Sequence, residues 1–403
     1  MGVVVDCQGM ARALKDAELS GAQLPLIVRG ARKSGREPSD GVESASVDGT
    51  PVELVPACSE SGELSTLTQA VRLLVERQHA DVVVVGGPFT VDGITLRTVA
   101  RRYPQVAFIA AANGPREVTL EGAPVGVYRV AADYEQGVAG LATYAYRRLG
   151  WRRAAIVVDA WAAGWGEETA FVREFCALGG RIERRIKIGY GWPYVAVPRN
   201  VDGVAVLGAP PLSLTPNRLR RLAERQGDAP RRLVLGPEVV AATDVLRAAG
   251  KSIDGVVGGA YTPPAPGSPE VRSYVKQFAR AYPGAPASQA QDPLVVNYRN
   301  AVETVLVAFD RAGGHARRLR GELDRFRAQL LGVPVRMDAH RQATVDTTLV
   351  RISRAGAQGG PSLTKVQTVP RVDQSIGGLV PAAYEPTHLG QACKRATPPP
   401  WAR

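Results

Sequence analysis

Asp81-Val-Val-Val-Val-Gly-Gly-Pro-Phe-Thr-Val-Asp-Gly93 is the stretch that decides the fold. The run Val82 to Val85 has no alternating polar position, so it reads as a strand buried on both faces, as at the centre of a parallel sheet. Gly86-Gly87 end the strand, a short polar turn follows, and a helical pattern runs from Ile94 to Arg102. Open α/β sheets bind ligands at the carboxyl ends of their strands, where such turns lie. Glycine lets a ligand come close to the backbone, and Thr90 and Asp92 put polar groups beside it. The turn predicts a small-molecule cleft without naming the ligand.

Outward from this stretch, strand and helix signals alternate. Strands are expected at 2–6, 51–56, 82–86, 106–110, 154–158, 202–207, 232–235 and 254–257. Helices are expected at 12–29, 64–80, 93–103, 134–149, 166–178, 215–226 and 238–249. This rhythm is that of βαβ units around a parallel sheet, with helices on both faces. A break falls near Gly122 to Val130, and the second series ends near Gly258-Gly259, before the Pro-rich loop Tyr261 to Gly267. Three helical segments follow (269–281, 291–312, 317–330), then β-like pieces near 333–337, 345–353 and 363–369, and a Pro- and Gly-rich tail from 370 to 403. Two α/β lobes, with a chain that returns to the first, account for this order.

The 403 residues suffice for two cores, and 45% apolar with 22% charged residues is the composition of a globular protein. No run of 18 apolar residues exists. Met1-Gly2 leads straight into Val3-Val4-Val5 with no visible secretory signal, as in a mature chain cut after its signal or in a cytoplasmic protein. The net charge of +12 comes mostly from arginines expected along surface helices (Arg152-Arg153, Arg181 to Arg185, Arg218 to Arg221, Arg317 to Arg320). No nucleic-acid module accompanies them, so no nucleic-acid partner is inferred.

Cys7, Cys58, Cys176 and Cys393 form no CxxC pair, and the four histidines lie far from them, so no metal site is expected. Cys7 follows the first strand and Cys58 the second. In a doubly wound sheet these strands are parallel neighbours, so a Cys7–Cys58 disulfide is geometrically plausible and favours an exported location. Cys176 on a helix is then positioned to anchor the tail at Cys393. The alternative is four free thiols in a cytosolic protein. Catalysis finds no support: there is no GxSxG elbow, P-loop, HExxH or GxGxxG after the first strand, and no nucleophile is evident beside Asp92, Glu238 or Asp254.

Several local motifs, in order, resemble the branched-chain amino-acid (Leu/Ile/Val) receptor-like family of type 1 periplasmic solute-binding proteins. They are Gly-Gly-Pro-Phe-Thr at 86–90, Tyr128-Arg-Val-Ala-Ala-Asp-Tyr-Glu-Gln-Gly137, Leu149 to Gly166 with its strand followed by Asp159 and Trp165-Gly166, Phe278 to Gly284, the helix 293–312 and Val333 to Asp338. The resemblance spans about residues 2–370. It implies an α/β clamshell of two doubly wound parallel-sheet lobes joined by three crossover segments. Lobe one is expected at 1–128 plus 261–343, lobe two at 129–260 plus 344–370, with 371–403 as an irregular tail. It further implies a monomer without cofactor that captures a small molecule for an ABC permease outside the cytoplasm, in a periplasm or as a lipoprotein. A ligand-sensing receptor or regulatory domain of the same fold is the alternative.

The resemblance also nominates site residues. Thr90 stands where the family holds a ligand carboxylate; Asp92 is a helix cap beside it. The family's second carboxylate-binding segment is Ile109-Ala-Ala-Ala-Asn-Gly-Pro115 here, without its hydroxyls, so Asn113 and the backbone N–H groups at 111–114 are the replacement donors. Trp165, with Trp161 as its neighbour, is placed to cover an apolar or cationic ligand face. Glu238 matches the acid that receives a ligand ammonium, although Pro237-Glu238 also reads as an ordinary helix start. Asp133 is expected to cap a helix with Tyr134 facing the ligand, and Tyr261 to act as a hinge or lid contact. Gln8, Met10 and Tyr298 are weaker candidates. The ligand class stays open among amino acids and their derivatives, amides and aromatic acids.

Overall fold

Val82–Val85 is the middle strand of a five-stranded, wholly parallel sheet ordered Val55–Ser59, Gly2–Asp6, Val82–Val85, Ala107–Ala110, Val127–Arg129. Its valines alternate between two cores. Val82 and Val84 join Val3, Val5, Leu19, Leu26, Tyr298 and Leu306 on one face. Val83 and Val85 join Val4, Leu67, Val71, Leu96, Val99 and Phe108 on the other. Each buried valine stabilises the fold by roughly 1.5–3 kcal/mol, which explains why no polar residue interrupts the run.

The structure is a computed structural model. It describes residues 1–403 except 61, 88–89, 121, 190–196, 198–199, 209–213, 262–266, 287, 354–360 and 382–391. Pro88 and Phe89 of the opening stretch and most of the Pro-rich loop therefore lie outside the described residues, as do the side chains of Met10 and of residues 90–94. Two compact units share the chain: Met1–Ala132 with Pro266–Val345, and Asp133–Ala265 with Asp346–Arg403. The backbone passes between them three times.

The second unit repeats the plan. Its strands lie in the order Arg181–Ile188, Arg153–Asp159, Gly203–Leu207, Leu233–Leu235, Val257–Ala260, all parallel. The strand Ala343–Ser353 then runs antiparallel to Val257–Ala260, and Ser362–Val372 pairs with it. Counted along the chain, both units have strand order 2-1-3-4-5, a doubly wound topology whose ligand crevice lies between the first and third strands. Ala154, Ile156 and Val158 pack on Phe171 and Phe175, while Ala155 and Val157 pack on Leu219 and Leu222.

Several boundaries differ from the sequence reading. The strand expected over 51–56 is two: Thr50–Val52 pairs with Ala45–Val47 in a hairpin, and Val55–Ser59 enters the sheet. Asp48 and Gly49, both at positive φ, make the two-residue turn that hairpins favour. Arg181 to Arg185 belong not to a surface helix but to the edge strand Arg181–Ile188, where a register shift beside Ala154/Ala155 disturbs the alternation. Arg153 likewise opens a strand. The helix expected over 134–149 breaks into Tyr134–Val138 and Leu141–Arg147, because Gly140 takes φ 86° and a Cβ there would strike Val369. Residues 317–330 divide into a helix, Ala316–Asp324, and a strand, Arg327–Leu330, turned back onto Val333–Met337 by Leu331 and Gly332 at positive φ. Gly258-Gly259 lie inside the strand Val257–Ala260 rather than beyond it.

Cys7 and Cys58 are bonded within the first unit, and Cys176 and Cys393 within the second, with Cα atoms 5.5 and 5.4 Å apart. Val5 and Cys58 are register partners, so the first pair spans neighbouring parallel strands. The tail packs into the second unit: Ile376, Leu379 and Val380 are in its core, beside Phe171 and Phe175.

Candidate functional site

In the second unit four parallel strands end side by side, and their carboxyl ends carry Asp159, Gly208, Gly236 and Tyr261. Asp159 is fully buried. Its Oδ1 accepts the backbone N–H groups of Trp161 (3.0 Å) and Gly164 (3.1 Å), which caps the helix Ala162–Ala177. In the second turn of that helix, buried Glu167 reaches back over the sheet edge. One of its oxygens accepts the Gly208 N–H (2.8 Å) and the other the Glu238 N–H (3.1 Å). Glycine is required beside these acids. Gly208 has φ 103°, and a Cβ on it would collide with the Asp159 carboxylate; a Cβ on Gly236 would collide with that of Glu167.

Glu238 occupies the first turn of the helix Pro237–Ala241, partly exposed. Burial of its carboxyl group pushes the pKa up to about 7, the Tyr261 hydroxyl opposes the shift, and the Asp159 charge adds to it. Glu167 is held well above the usual carboxylate range, first by burial and then by the Glu238 charge. Tyr261 rises well above its ordinary value for the same reasons, burial leading and Glu238 following. Its ring lies against Gly137, where a Cβ would strike it. Tyr134 is buried at the start of the helix Tyr134–Val138, whose N-terminus carries a reciprocal capping box between Asp133 and Gln136. Gly166 keeps this helix close to Ala162–Ala177: a Cβ on it would lie 2.9 Å from Tyr134 Cβ. Trp161 precedes Ala162–Ala177, 48% exposed, and Trp165 is partly exposed in its first turn.

Tyr134, Trp161, Trp165, Glu238 and Tyr261 thus come from four separate segments to one sheet edge: the tryptophans follow strand one, Glu238 follows strand four, Tyr261 follows strand five, and Tyr134 opens the helix before strand one. Asp159, Glu167 and the fully buried Glu135 complete this acidic edge and were not nominated from the sequence. Glu167-Glu168 reads as a solvent-facing pair on an amphipathic helix, and nothing local marks the first as buried.

In the first unit, the helix Thr90–Ala100 begins three residues earlier than expected. Asp92 therefore stands inside its first turn instead of capping it. Asn113 donates to the Ala132 carbonyl (2.9 Å) and accepts from Asn297 (2.7 Å). The Ala111 N–H is taken by the Val85 carbonyl (2.7 Å), which removes it from the expected anion donors. Tyr298 is buried and donates to the Val4 carbonyl (2.7 Å), a core role. Gln8 is exposed before the short helix Gly9–Leu14.

The family model described as periplasmic binding protein matches residues 2–358. The chain belongs to this family. No curated protein matches it. Among solved structures, this periplasmic binding protein is similar to an ABC transporter substrate-binding protein from Sphaerobacter thermophilus (19% identity, TM-score 0.77, covering 92% of this chain and 98% of that one). It is also similar to a leucine binding protein from Thermotoga maritima (18%, TM-score 0.69, covering 92% and 98%). A third is a solute binding protein of an ABC transporter from Rhodopseudomonas palustris in complex with 3,4-dihydroxybenzoic acid (17%, TM-score 0.72, covering 92% and 97%). At these identities the likeness is one of fold. It agrees with the two doubly wound sheets and with the three passages of the chain between units. Among the described residues, no helix is long and apolar enough to cross a membrane.

Proposed function

We propose that this protein is the extracytoplasmic solute receptor of an ABC importer, a monomer that captures a small molecule and hands it to a membrane permease without chemical change. The observation that carries the reading is the edge of the second unit, where Glu238 and Tyr261 meet beside Tyr134, Trp161 and Trp165 in a family of binding proteins. Thr90, Asp92 and Asn113 of the first unit are also proposed as ligand-binding residues. The two disulfides fit an oxidising compartment and disfavour a cytosolic regulator of the same fold.

The chemistry of the edge favours an amine-bearing ligand, an amino-acid derivative or amide among them. A partly exposed carboxyl group with its pKa raised by burial and by neighbouring acid gains most from a cationic partner. The aromatic rings supply apolar cover and cation–π faces. Aromatic acids are the competing class, and the tryptophans serve them as well. A thermal-shift screen over amino acids, amides, polyamines, aromatic acids and sugars tests the reading. A ligand at one hundred times its Kd stabilises by about 2.7 kcal/mol. Stabilisation by an amine that disappears in Glu238→Ala supports the site. A hit that survives the substitution removes Glu238 from it, and no hit in any class overturns the receptor reading.

A further inference from the structure

A cavity of about 670 Å³ lies in the second unit, away from the acidic edge. The end of the helix Leu141–Arg147, the strands Ala343–Ser353 and Ser362–Val372, and the tail at Trp401 line it, and it opens to solvent. Arg351 in its wall pairs with Val257, the first residue of the strand Val257–Ala260, so the cavity sits at the amino edge of the sheet. The acidic site is at the carboxyl edge. The cavity is cationic: Arg147, Arg148 and Arg351 line it together with Tyr144, Gln367 and Trp401.

Its charge is poorly compensated. Arg147 donates to the Ala402 carbonyl, which pins the tail and leaves the guanidinium charge in place. Among the described residues, Arg148 and Arg351 have no ion pair and no side-chain hydrogen bond. The carboxylate behind the wall is Glu174, which is fully buried and already accepts the Gly140 N–H, the Thr143 N–H (both 2.9 Å) and the Thr143 hydroxyl. Two arginines at a helix end complement its dipole. Arg351 comes from a strand and has no such reason to be there.

We propose that this cavity is a second binding site, for a small polyanion carrying phosphate or carboxylate groups. Guanidinium forks bind both groups in bidentate fashion. The volume is that of ordinary small-molecule sites, about 300–1,000 Å³. Tyr144 and Trp401 offer flat walls to the rest of such a ligand. The site is independent of the solute receptor edge and of the ligand bound there.

Calorimetric titration with inorganic pyrophosphate at fixed ionic strength tests it. The variants are Arg148→Gln/Arg351→Gln and, as a control that removes the same charge elsewhere in the unit, Arg221→Gln/Arg247→Gln. All four arginines are exposed, so both variants keep the fold, and melting curves check this. Saturable binding by the wild type is expected, weakened at least about tenfold in the cavity variant and unchanged in the control. Flotation with phosphatidylglycerol vesicles separates the sources. Flotation that requires Arg148 and Arg351 assigns the site a lipid headgroup, and pyrophosphate binding without flotation assigns it a soluble polyanion. Absence of saturable binding, or an equal loss in both variants, overturns the proposal and leaves three solvated surface cations.

Discussion

Glu238 makes stability depend on pH. Its folded-state pKa of about 7 lies above the ordinary 4.5, so the folded protein keeps a proton that the unfolded chain has released. That contribution to stability is complete below about pH 4.5 and is lost as pH rises through about 7. Glu167 acts in the same direction. Glu238→Gln, neutral at every pH, is expected to melt higher than the wild type at pH 8, with the advantage shrinking at pH 5; equal offsets at both values would remove Glu238 from the buried cluster. Affinity for an amine ligand should rise with pH through the same range in the wild type and stay flat in the variant. Trp151 tests the core at the same scale. It is buried, its indole donates to the Arg231 carbonyl (2.7 Å), and it lies on Gly203. Trp151→Ala is expected to cost about 3–5 kcal/mol in urea unfolding. Glu238 was legible in the sequence as an acid at a helix start. Asp159, Glu167 and Glu135 were not, because a buried carboxylate has the same letters as a solvated one.

Two elements owe their form to contacts that composition and periodicity do not report. The break at Gly140 frees the short helix Tyr134–Val138 to lie beside Tyr261, and Glu174 from the neighbouring helix caps the next one. Gly137 is the point of closest approach. Alanine normally stabilises a helix relative to glycine by about 1 kcal/mol, yet here the added methyl meets the Tyr261 ring and Pro237 Cγ at 3.0 Å. Gly137→Ala is expected to lower Tm and weaken ligand binding together; a rise in Tm with unchanged binding would show that the ring moves aside freely. The tail is the other element. Composition alone predicts an irregular segment over 371–403. The Cys176–Cys393 bond and the buried Ile376 and Val380 make it part of the second unit. Cys176→Ser/Cys393→Ser is expected to lose about 2–4 kcal/mol of stability, read by urea unfolding, and a loss confined to the first unit would contradict this placement.

At the scale of the whole molecule, the parallel sheets follow from patterning. Uninterrupted Val, Ile and Ala runs bury both faces, and amphipathic helices between them leave right-handed crossovers as the only connection. That logic, with the ordered motifs from 2 to about 370, was sufficient for the fold class, the two lobes and the family. It also placed Cys7 and Cys58 on neighbouring strands, because pairing in a doubly wound sheet is set by strand order. A receptor with two such sheets should unfold in two steps when its ligand stabilises one unit more than the other, and differential scanning calorimetry with and without the screened ligand reads this directly. Tertiary structure alone decided which charges are buried, which glycines stand against a side chain, and that three arginines from a helix and a distant strand share one cavity. Periodicity reports the face on which a residue lies. Desolvation and proximity depend on what the rest of the chain brings to that face, and no local window contains it.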